Sequence, residues 1–142
     1  MPASHRQIEE RKIRQERILS GALAVFNAKG LKNATMEEIA AESDFGKATL
    51  YYYFKSKEEV FSAILENGWE KLWIGLEPII AKDKSPRETF IQILLKISEV
   101  IRSRLGLYEF LFNAPQKIIF EKHPWKQYQN RLYSNLNRLL EE

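Results

Sequence analysis

The chain has 142 residues, of which 44% are hydrophobic, which is enough for a folded core and argues against disorder. It contains no cysteine, which excludes disulfide bonds, thiolate metal sites and a cysteine nucleophile and agrees with a reducing compartment. No apolar run approaches the roughly 18 residues of a membrane span, and the N-terminus lacks the apolar core of a signal peptide, so we expect a cytoplasmic protein.

The formal net charge is only +3, but it is unevenly distributed along the chain. Residues 1–57 contain ten Lys or Arg and seven Asp or Glu, whereas residues 58–142 contain twelve of each. A localised cationic surface suits a phosphate backbone. A solvated basic helix face without a partner explains the same excess, so charge alone leaves both interpretations open.

The first predicted helix extends from about Arg6 to Lys29, and Gly30 predicts its end. Its apolar residues recur three and four positions apart, as on one face of an amphipathic helix. They are Ile18, Leu19, Ala22, Leu23 and Phe26.

Basic residues precede or open this helix, namely Arg6, Arg11, Lys12, Arg14 and Arg17. Such an arm can lie along a DNA backbone or enter a minor groove. Interspersed Glu9, Glu10 and Glu16 favour ordinary intrahelical ion pairs instead. The sequence leaves the two interpretations equally supported.

Two helix starts are marked within residues 35–61. Thr35 with Glu38 forms one S/T-x-x-E capping box, and Ser56 with Glu59 forms another. Between them the pattern predicts a helix, a turn and a second short helix. This is the arrangement that a major-groove reader requires.

The first of these short helices is expected to end near Ser43, and Asp44 is expected to make the turn because Asp tolerates left-handed backbone angles. The second is expected over residues 47–53. Leu50 and Phe54, four residues apart, are assigned to the core. The other side chains then surround the remaining surface: Lys47, Ala48, Thr49, Tyr51, Tyr52 and Tyr53.

The second half of the chain also reads as helical. A long helix capped by Ser56 is expected to end near Pro78, and Ser85-Pro86-x-Glu88 opens another. Gly106 is expected to interrupt that helix, and Pro124 to mark the entry to the last one. The predicted inward stripe of the helix before Gly106 is Phe90, Leu94, Ile97, Ile101 and Leu105. Four further apolar residues widen this stripe, so we expect the helix to be covered on more than one side: Ile91, Ile93, Leu95 and Val100.

The run TLYYYFKSKEEVF, preceded by T-x-x-x-I-A-x-x at Thr35–Glu42 and by a helix ending AVFNAKG, resembles the DNA-binding domain of the TetR family. The match covers roughly residues 8–65. It is more specific than a generic helix-turn-helix because several residues occur in fixed order. These are Thr49, Leu50, Tyr51, Tyr53, Phe54, Ser56 and Lys57.

The resemblance implies an all-α protein with a helix-turn-helix DNA-binding domain over residues 1–57. A helical ligand-sensing and dimerisation domain follows over residues 58–142, and we expect it to be incomplete because the chain stops within a helical segment. The family implies a homodimeric transcription regulator, usually a repressor, that leaves a palindromic operator on double-stranded DNA when a small molecule binds. Ligand binding would move the helix that begins at Ser56.

Chemistry supports DNA contacts from the second short helix. Lys47 can approach a guanine edge or a phosphate, and Thr49 can donate to a phosphate or touch a thymine methyl. Tyr51 and Tyr53 can place their hydroxyls on phosphates, whereas Tyr52 either reads a base or lies against the groove wall. Lys57 matches the family position that binds a phosphate. The candidate DNA-binding residues are therefore Thr35, Lys47, Ala48, Thr49, Tyr51, Tyr52, Tyr53 and Lys57.

The sequence departs from the family's usual turn, A-G-V-S-x-G, which here reads S-D-F-G-K-A at residues 43–48. Asp44 and Ala48 replace glycines, and Phe45 replaces a smaller residue, so the two helices are expected to cross slightly differently. Glu37 would be repelled by a phosphate. It is expected either to accept from a cytosine amino group or to orient a neighbouring lysine.

Large aromatic residues are frequent after residue 65 and are candidates for an apolar or aromatic effector pocket. Aromatic residues at helical spacing more often form core. The ligand-binding candidates are Trp69, Trp73, Phe90, Tyr108, Phe112 and Trp125. A stripe in the last helix, formed by Tyr128, Leu132, Leu136 and Leu139, is a candidate for self-association.

No enzyme motif is present: the sequence has no Gly-rich phosphate loop, no H-E-x-x-H and no paired nucleophile and base. We therefore expect no catalytic residue, no metal, no cofactor and no membrane partner. The competing hypothesis is a helical ligand-binding or protein-interaction module of the same fold that does not bind DNA sequence-specifically.

Overall fold

The computed structural model describes residues 2, 4–82, 84–113 and 126–141. Within these ranges all regular structure is α-helical, as predicted. The chain divides into two compact units, Met1–Ile64 and Leu65–Glu142. The helices are α1 (His5–Asn33), α2 (Met36–Ser43), α3 (Lys47–Tyr53), α4 (Lys57–Ala81), α5 (Pro86–Ser103), α6 (Leu105–Asn113) and α7 (Lys126–Glu141). None of these helices is both long and apolar enough to cross a membrane.

A complete capping box starts α1. The hydroxyl of Ser4 accepts from the backbone N–H of Gln7 at 3.2 Å, and the side chain of Gln7 accepts from the backbone N–H of Ser4 at 2.9 Å. This S-x-x-Q signal places the start one residue before the predicted Arg6. Gly30 has φ +77° and breaks the helix where the sequence predicted, and one further turn extends to Asn33.

The first unit is built by packing α2 across α1. Ser43 lies directly against Gly21, and its hydroxyl donates to the carbonyl of Ile18 at 3.5 Å. Phe26 and Phe61 meet edge to face with ring centroids 5.3 Å apart. The core of this unit includes Ile18, Ala22, Phe26, Ile39, Ala40, Leu50, Val60, Phe61 and Ile64.

The turn between α2 and α3 agrees with the sequence prediction. Asp44 ends α2 in the left-handed conformation, with φ 60° and ψ 40°. α3 spans the predicted residues and buries Leu50 completely. The assignment of Phe54 to the core is wrong: it is half-buried, because α3 has ended and Phe54 has an extended backbone with φ −136°.

The predicted end of α4 near Pro78 is wrong, because the helix continues to Ala81 with Pro78 inside it. Proline cannot donate to the carbonyl four residues earlier, here that of Ile74. Ile74 is on an exposed face of the helix, where water can hydrate that carbonyl. The lost bond falls in the last turn, so the helix tolerates it.

The break after α5 also differs from the prediction. Arg104, with φ −146° and ψ 64°, separates α5 from α6, and Gly106 lies inside α6. Glycine weakens a helix but does not by itself end one. The turn at Arg104 carries no proline or glycine signal and could not be read from sequence.

The inward face predicted for α5 is too wide, because it includes exposed residues on both sides of the buried Ile93. Ile93 is fully buried, whereas Leu94 is 50% exposed and Leu95 is 60% exposed. Successive residues of an α-helix differ by about 100° in direction, so a one-residue offset changes the buried face. α7 packs against α5 and buries Leu132, so the stripe considered for self-association is used inside the unit at that residue.

Candidate nucleic-acid interface

α3 presents a polar and aromatic surface because Leu50 anchors its opposite side. Tyr52 is 72% exposed and Tyr51 is 42% exposed, and Lys47 and Ala48 are also exposed. The remaining two candidates on this helix, Thr49 and Tyr53, are half-buried. The structure thus confirms Leu50 as the buried residue of α3, whereas Thr49 and Tyr53, which were expected on the surface, are only partly open to solvent.

Lys47 forms an ion pair with Glu37 across the helix-turn-helix, with its Nζ 2.7 Å from Oε1. This hydrogen bond lowers the pKa of Glu37 and raises the pKa of Lys47 from their ordinary values. The ammonium also lies 5.9 Å from the ring centroid of Tyr51. Of the two roles left open for Glu37, orienting a neighbouring lysine is the one seen in the free protein.

Thr35 acts as the N-cap of α2. Its hydroxyl accepts from the backbone N–H of Glu38 at 3.2 Å and donates to the Glu38 carboxylate at 2.9 Å. Glu38 also forms an ion pair with Lys29 of α1. The hydrogen bonds from Lys29 and Thr35 lower the pKa of the Glu38 carboxyl. Thr35 is exposed, but its hydroxyl is already engaged in capping.

Lys57 binds the connection between α1 and α2. Its Nζ donates to the carbonyl oxygens of Lys32 at 3.0 Å and Ala34 at 3.1 Å. Two of the three N–H donors of the ammonium are therefore used within the protein. These two contacts join residues more than twenty positions apart, so no local sequence pattern predicts them.

A groove of about 560 Å³ lies between the start of α1 and α3. Arg11 and Arg14 line it from α1, and Tyr52 and Tyr53 line it from α3. The two tyrosine rings meet edge to face at 5.1 Å. The structure thus places two cations of the N-terminal arm beside the exposed aromatic residues of α3, which sequence reasoning had treated separately.

Two further arm residues, Arg6 and Arg17, make contacts within the protein. Arg6 forms an intrahelical ion pair with Glu10 at 3.2 Å. Arg17 donates to the carbonyl of Ser43 at 3.2 Å, and its guanidinium lies 4.4 Å from the ring centroid of Phe45. Arg17 therefore fastens the turn, and the large residue at position 45 is covered by this guanidinium.

Three ligand-binding candidates come together in the second unit. The rings of Trp69 and Phe112 meet edge to face at 6.1 Å, and those of Tyr108 and Phe112 lie 6.4 Å apart. Trp69 and Tyr108 are buried, whereas Phe112 is 54% exposed. The Tyr108 hydroxyl donates to the carbonyl of Gly68 at 3.2 Å, and burial raises its pKa.

The remaining ligand-binding candidates do not join this cluster through any contact that the structure describes. The guanidinium of Arg131 lies 5.9 Å from the Trp73 ring centroid. Phe90 is half-buried on α5. Trp125 lies outside the described residues. In the described ranges no group of histidine and carboxylate side chains is arranged to hold a metal ion.

Comparison with known proteins identifies the same region as the sequence motif. Residues 18–64 match the family model of bacterial regulatory proteins of the tetR family. The uncharacterized HTH-type transcriptional regulator YfiR of Bacillus subtilis (strain 168) is 29% identical over 125 residues, which are 88% of this chain and 58% of YfiR. The biofilm operon icaADBC HTH-type negative transcriptional regulator IcaR of Staphylococcus epidermidis is 29% identical over 107 residues, covering 75% of this chain and 46% of IcaR.

Solved structures share the fold. AibR, solved in complex with isovaleryl coenzyme A and operator DNA, matches with a TM-score of 0.75 at 20% identity, over 89% of this chain and 69% of AibR. The chain spans about half the length of the curated relatives that it matches. These relatives are transcriptional regulators rather than enzymes, in agreement with the sequence prediction. Residues 18–64, which contain the helix-turn-helix, match the tetR family of bacterial regulatory proteins, and the fold is that of solved regulators of this family.

Proposed function

We propose that this protein binds a palindromic operator on double-stranded DNA as a homodimer and represses transcription until a small molecule releases it. The observation that carries this proposal is the surface of α3, which exposes Lys47, Tyr51 and Tyr52. Arg11 and Arg14 of α1 line a groove together with Tyr52 and Tyr53. A short helix that presents exposed aromatic and basic side chains suits a major groove and its phosphates.

Each candidate residue of this surface has a chemical role in the proposed complex. Lys47 reads a base edge, and Tyr51 and Tyr53 donate to backbone phosphates. Tyr52 lies against the groove wall. Lys57 keeps its two carbonyl bonds and directs its third N–H to a phosphate. Thr35, Ala48 and Thr49 complete the contact surface.

We assign DNA binding to residues 1–57, and ligand sensing and dimerisation to residues 58–142, in a cytoplasmic protein. IcaR is named a negative regulator, and AibR was solved with an acyl coenzyme A and operator DNA, which supports repression and an effector with an apolar part. The Trp69, Tyr108 and Phe112 cluster supports an apolar or aromatic effector. Such an effector releases DNA only if it binds the free and operator-bound conformations with different affinity.

The proposal is tested by a mobility shift with the DNA upstream of the protein's own gene. We expect salt-sensitive binding of two chains per operator. Tyr53→Ala and Lys57→Ala should weaken binding almost uniformly across sequences, whereas Lys47→Ala should change sequence preference. Lys55→Ala, on an exposed neighbouring residue, is the matched control for Lys57→Ala and should have a smaller effect.

Two outcomes would contradict the proposal. A complete absence of binding at low salt would favour a helical module of the same fold that does not bind DNA sequence-specifically. Equal losses on all operators from all three variants would contradict the division between residues that contact phosphates and the residue that reads bases.

A further inference from the structure

The Glu37–Lys47 pair occupies the part of the helix-turn-helix that would face the bases. Glu37 is in the first turn of α2, and Lys47 is the first residue of α3. Both side chains are open to solvent, at 60% and 59% exposure, although their charged atoms are only 2.7 Å apart. The surface therefore presents an ammonium donor and a carboxylate acceptor side by side.

The pair is better suited to recognition than to holding the fold. An ion pair this exposed contributes little to stability. A carboxylate near a phosphate would repel it, but at the edge of a base it can accept a hydrogen bond. Lys47 is bounded by Glu37 on one side and by the ring of Tyr51 on the other, so its ammonium is positioned before any ligand arrives.

We propose that this pair reads a single G·C base pair in the major groove, with Lys47 donating to guanine and Glu37 accepting from the cytosine amino group. This inference rests on the DNA-binding function proposed above. Guanine presents the acceptors O6 and N7 in the major groove, and cytosine presents the donor N4 beside O6. O6 and N4 are joined by a Watson–Crick hydrogen bond of about 2.9 Å, close to the 2.7 Å between Lys47 Nζ and Glu37 Oε1.

An A·T pair fits the same two side chains less well. Its one amino donor, adenine N6, stands between adenine N7 and thymine O4. If Glu37 accepts from N6, the ammonium of Lys47 reaches one acceptor rather than the adjacent pair that guanine offers. The arrangement of donor and acceptor on the protein therefore favours G·C.

The test begins with selection of bound sequences from a randomised duplex library by the full chain. We expect one G·C pair to be enriched at the same position in each half-site. Replacing it with A·T should weaken binding about 5- to 150-fold, which is the usual range for one mismatched base pair.

Modified bases then test each contact separately. N4-methylcytosine keeps Watson–Crick pairing but replaces the hydrogen that Glu37 would accept, and 7-deazaguanine removes one acceptor of Lys47. N4-methylcytosine at the selected position should weaken DNA binding by the unsubstituted protein and leave the affinity of Glu37→Ala unchanged. Conversely, 7-deazaguanine should weaken DNA binding by the unsubstituted protein and leave the affinity of Lys47→Ala unchanged. Glu42→Ala is the matched control, because it removes the same charge from an exposed position of α2 and should respond to N4-methylcytosine as the unsubstituted protein does.

The outcomes separate this inference from the function on which it rests. Two results would overturn the base-pair assignment alone. The first is sequence-selective binding in which no G·C preference depends on Glu37 and Lys47, and the second is binding that is insensitive to N4-methylcytosine. The second result would mean that Glu37 only orients Lys47. Failure to retain any duplex at low salt would overturn the proposed function and the assignment with it.

Discussion

Gly21 determines how closely α1 and α2 can approach. A Cβ atom at this position would lie 3.0 Å from the backbone nitrogen of Ser43 and 3.1 Å from its Cα. Both are backbone atoms of the crossing helix, so they cannot move aside as the end of a flexible side chain could. The Ser43 hydroxyl also donates to the carbonyl of Ile18 across the same contact. Any side chain at position 21 must push α2 away from α1.

Gly21→Ala is therefore expected to destabilise the protein by about 1–3 kcal/mol, the usual cost of overpacking a close contact. The free energy of unfolding, measured by urea denaturation, checks this expectation. Gly106→Ala is the control, since a Cβ there meets nothing within 4 Å and alanine favours a helix. An unchanged stability of Gly21→Ala would mean that the helices separate at no cost.

Charge joins α1 and α2 where the chain passes from one helix to the other. Glu38 binds Lys29 near the end of α1 and the hydroxyl of Thr35. These bonds favour its ionised form and lower the pKa of its carboxyl below the ordinary value of 4.5. A lowered pKa in the folded state means that this stabilisation is present above the unfolded pKa and is lost as pH falls through the folded pKa.

Glu38→Gln should consequently reduce the free energy of unfolding at neutral pH, because glutamine cannot form the ion pair. The difference from the unsubstituted protein should shrink below about pH 4.5 and disappear once Glu38 is protonated in both states. Denaturation at a series of pH values measures this, with Glu42→Gln on the same helix as the control. A deficit that persists in acid would assign the effect to packing rather than to charge.

The elements that the sequence predicted well are those fixed by local chemistry. The capping residues Thr35, Ser56 and Ser85 begin their helices through side-chain bonds to residues three positions later. Asp44 adopts the left-handed turn because its own side chain tolerates that conformation. Each of these signals acts over a few residues and needs no knowledge of what packs against the helix.

The elements predicted poorly depend on tertiary packing. The buried line of α5 contains Ile93 rather than Leu94, because the faces covered by α6 and α7 decide which of several apolar residues turns inward. For the same reason the sequence indicated Lys47 and Glu37 as candidate residues but did not predict that they form an ion pair. Likewise, Arg11 and Tyr53 line the same groove only because α1 and α3 lie side by side, which no local sequence pattern predicts.

For the molecule as a whole, the excess of positive charge lies in residues 1–57, while residues 58–142 carry equal numbers of each sign. These cations are not equivalent. Arg6 and Arg17 are held by Glu10 and by the carbonyl of Ser43, whereas Arg14 lines the groove beside α3. The electrostatic contribution to DNA binding is therefore expected to come from fewer residues than the net charge suggests.

Arg14→Gln should weaken DNA binding uniformly across sequences and should reduce the slope of log affinity against log salt by about one per chain. Titrations at several salt concentrations measure both quantities. Lys12→Gln removes the same charge from the same stretch of α1 but not from the residues lining the groove, and it should have a smaller effect. Equal changes of affinity and salt slope for both variants would indicate that Arg14 acts through the overall electrostatic field and not through a phosphate contact.

The contact between Arg17 and Phe45 makes the two positions interdependent. The guanidinium covers the ring and holds the carbonyl of Ser43 at the end of α2. If Phe45 were replaced by a small residue, Arg17 would lose the ring against which it packs. If Arg17 were replaced by a small residue, the ring of Phe45 would become more exposed to water. Exchange of one residue is therefore expected to be tolerated mainly together with exchange of the other, so the two positions are expected to behave as one unit in a double-mutant cycle.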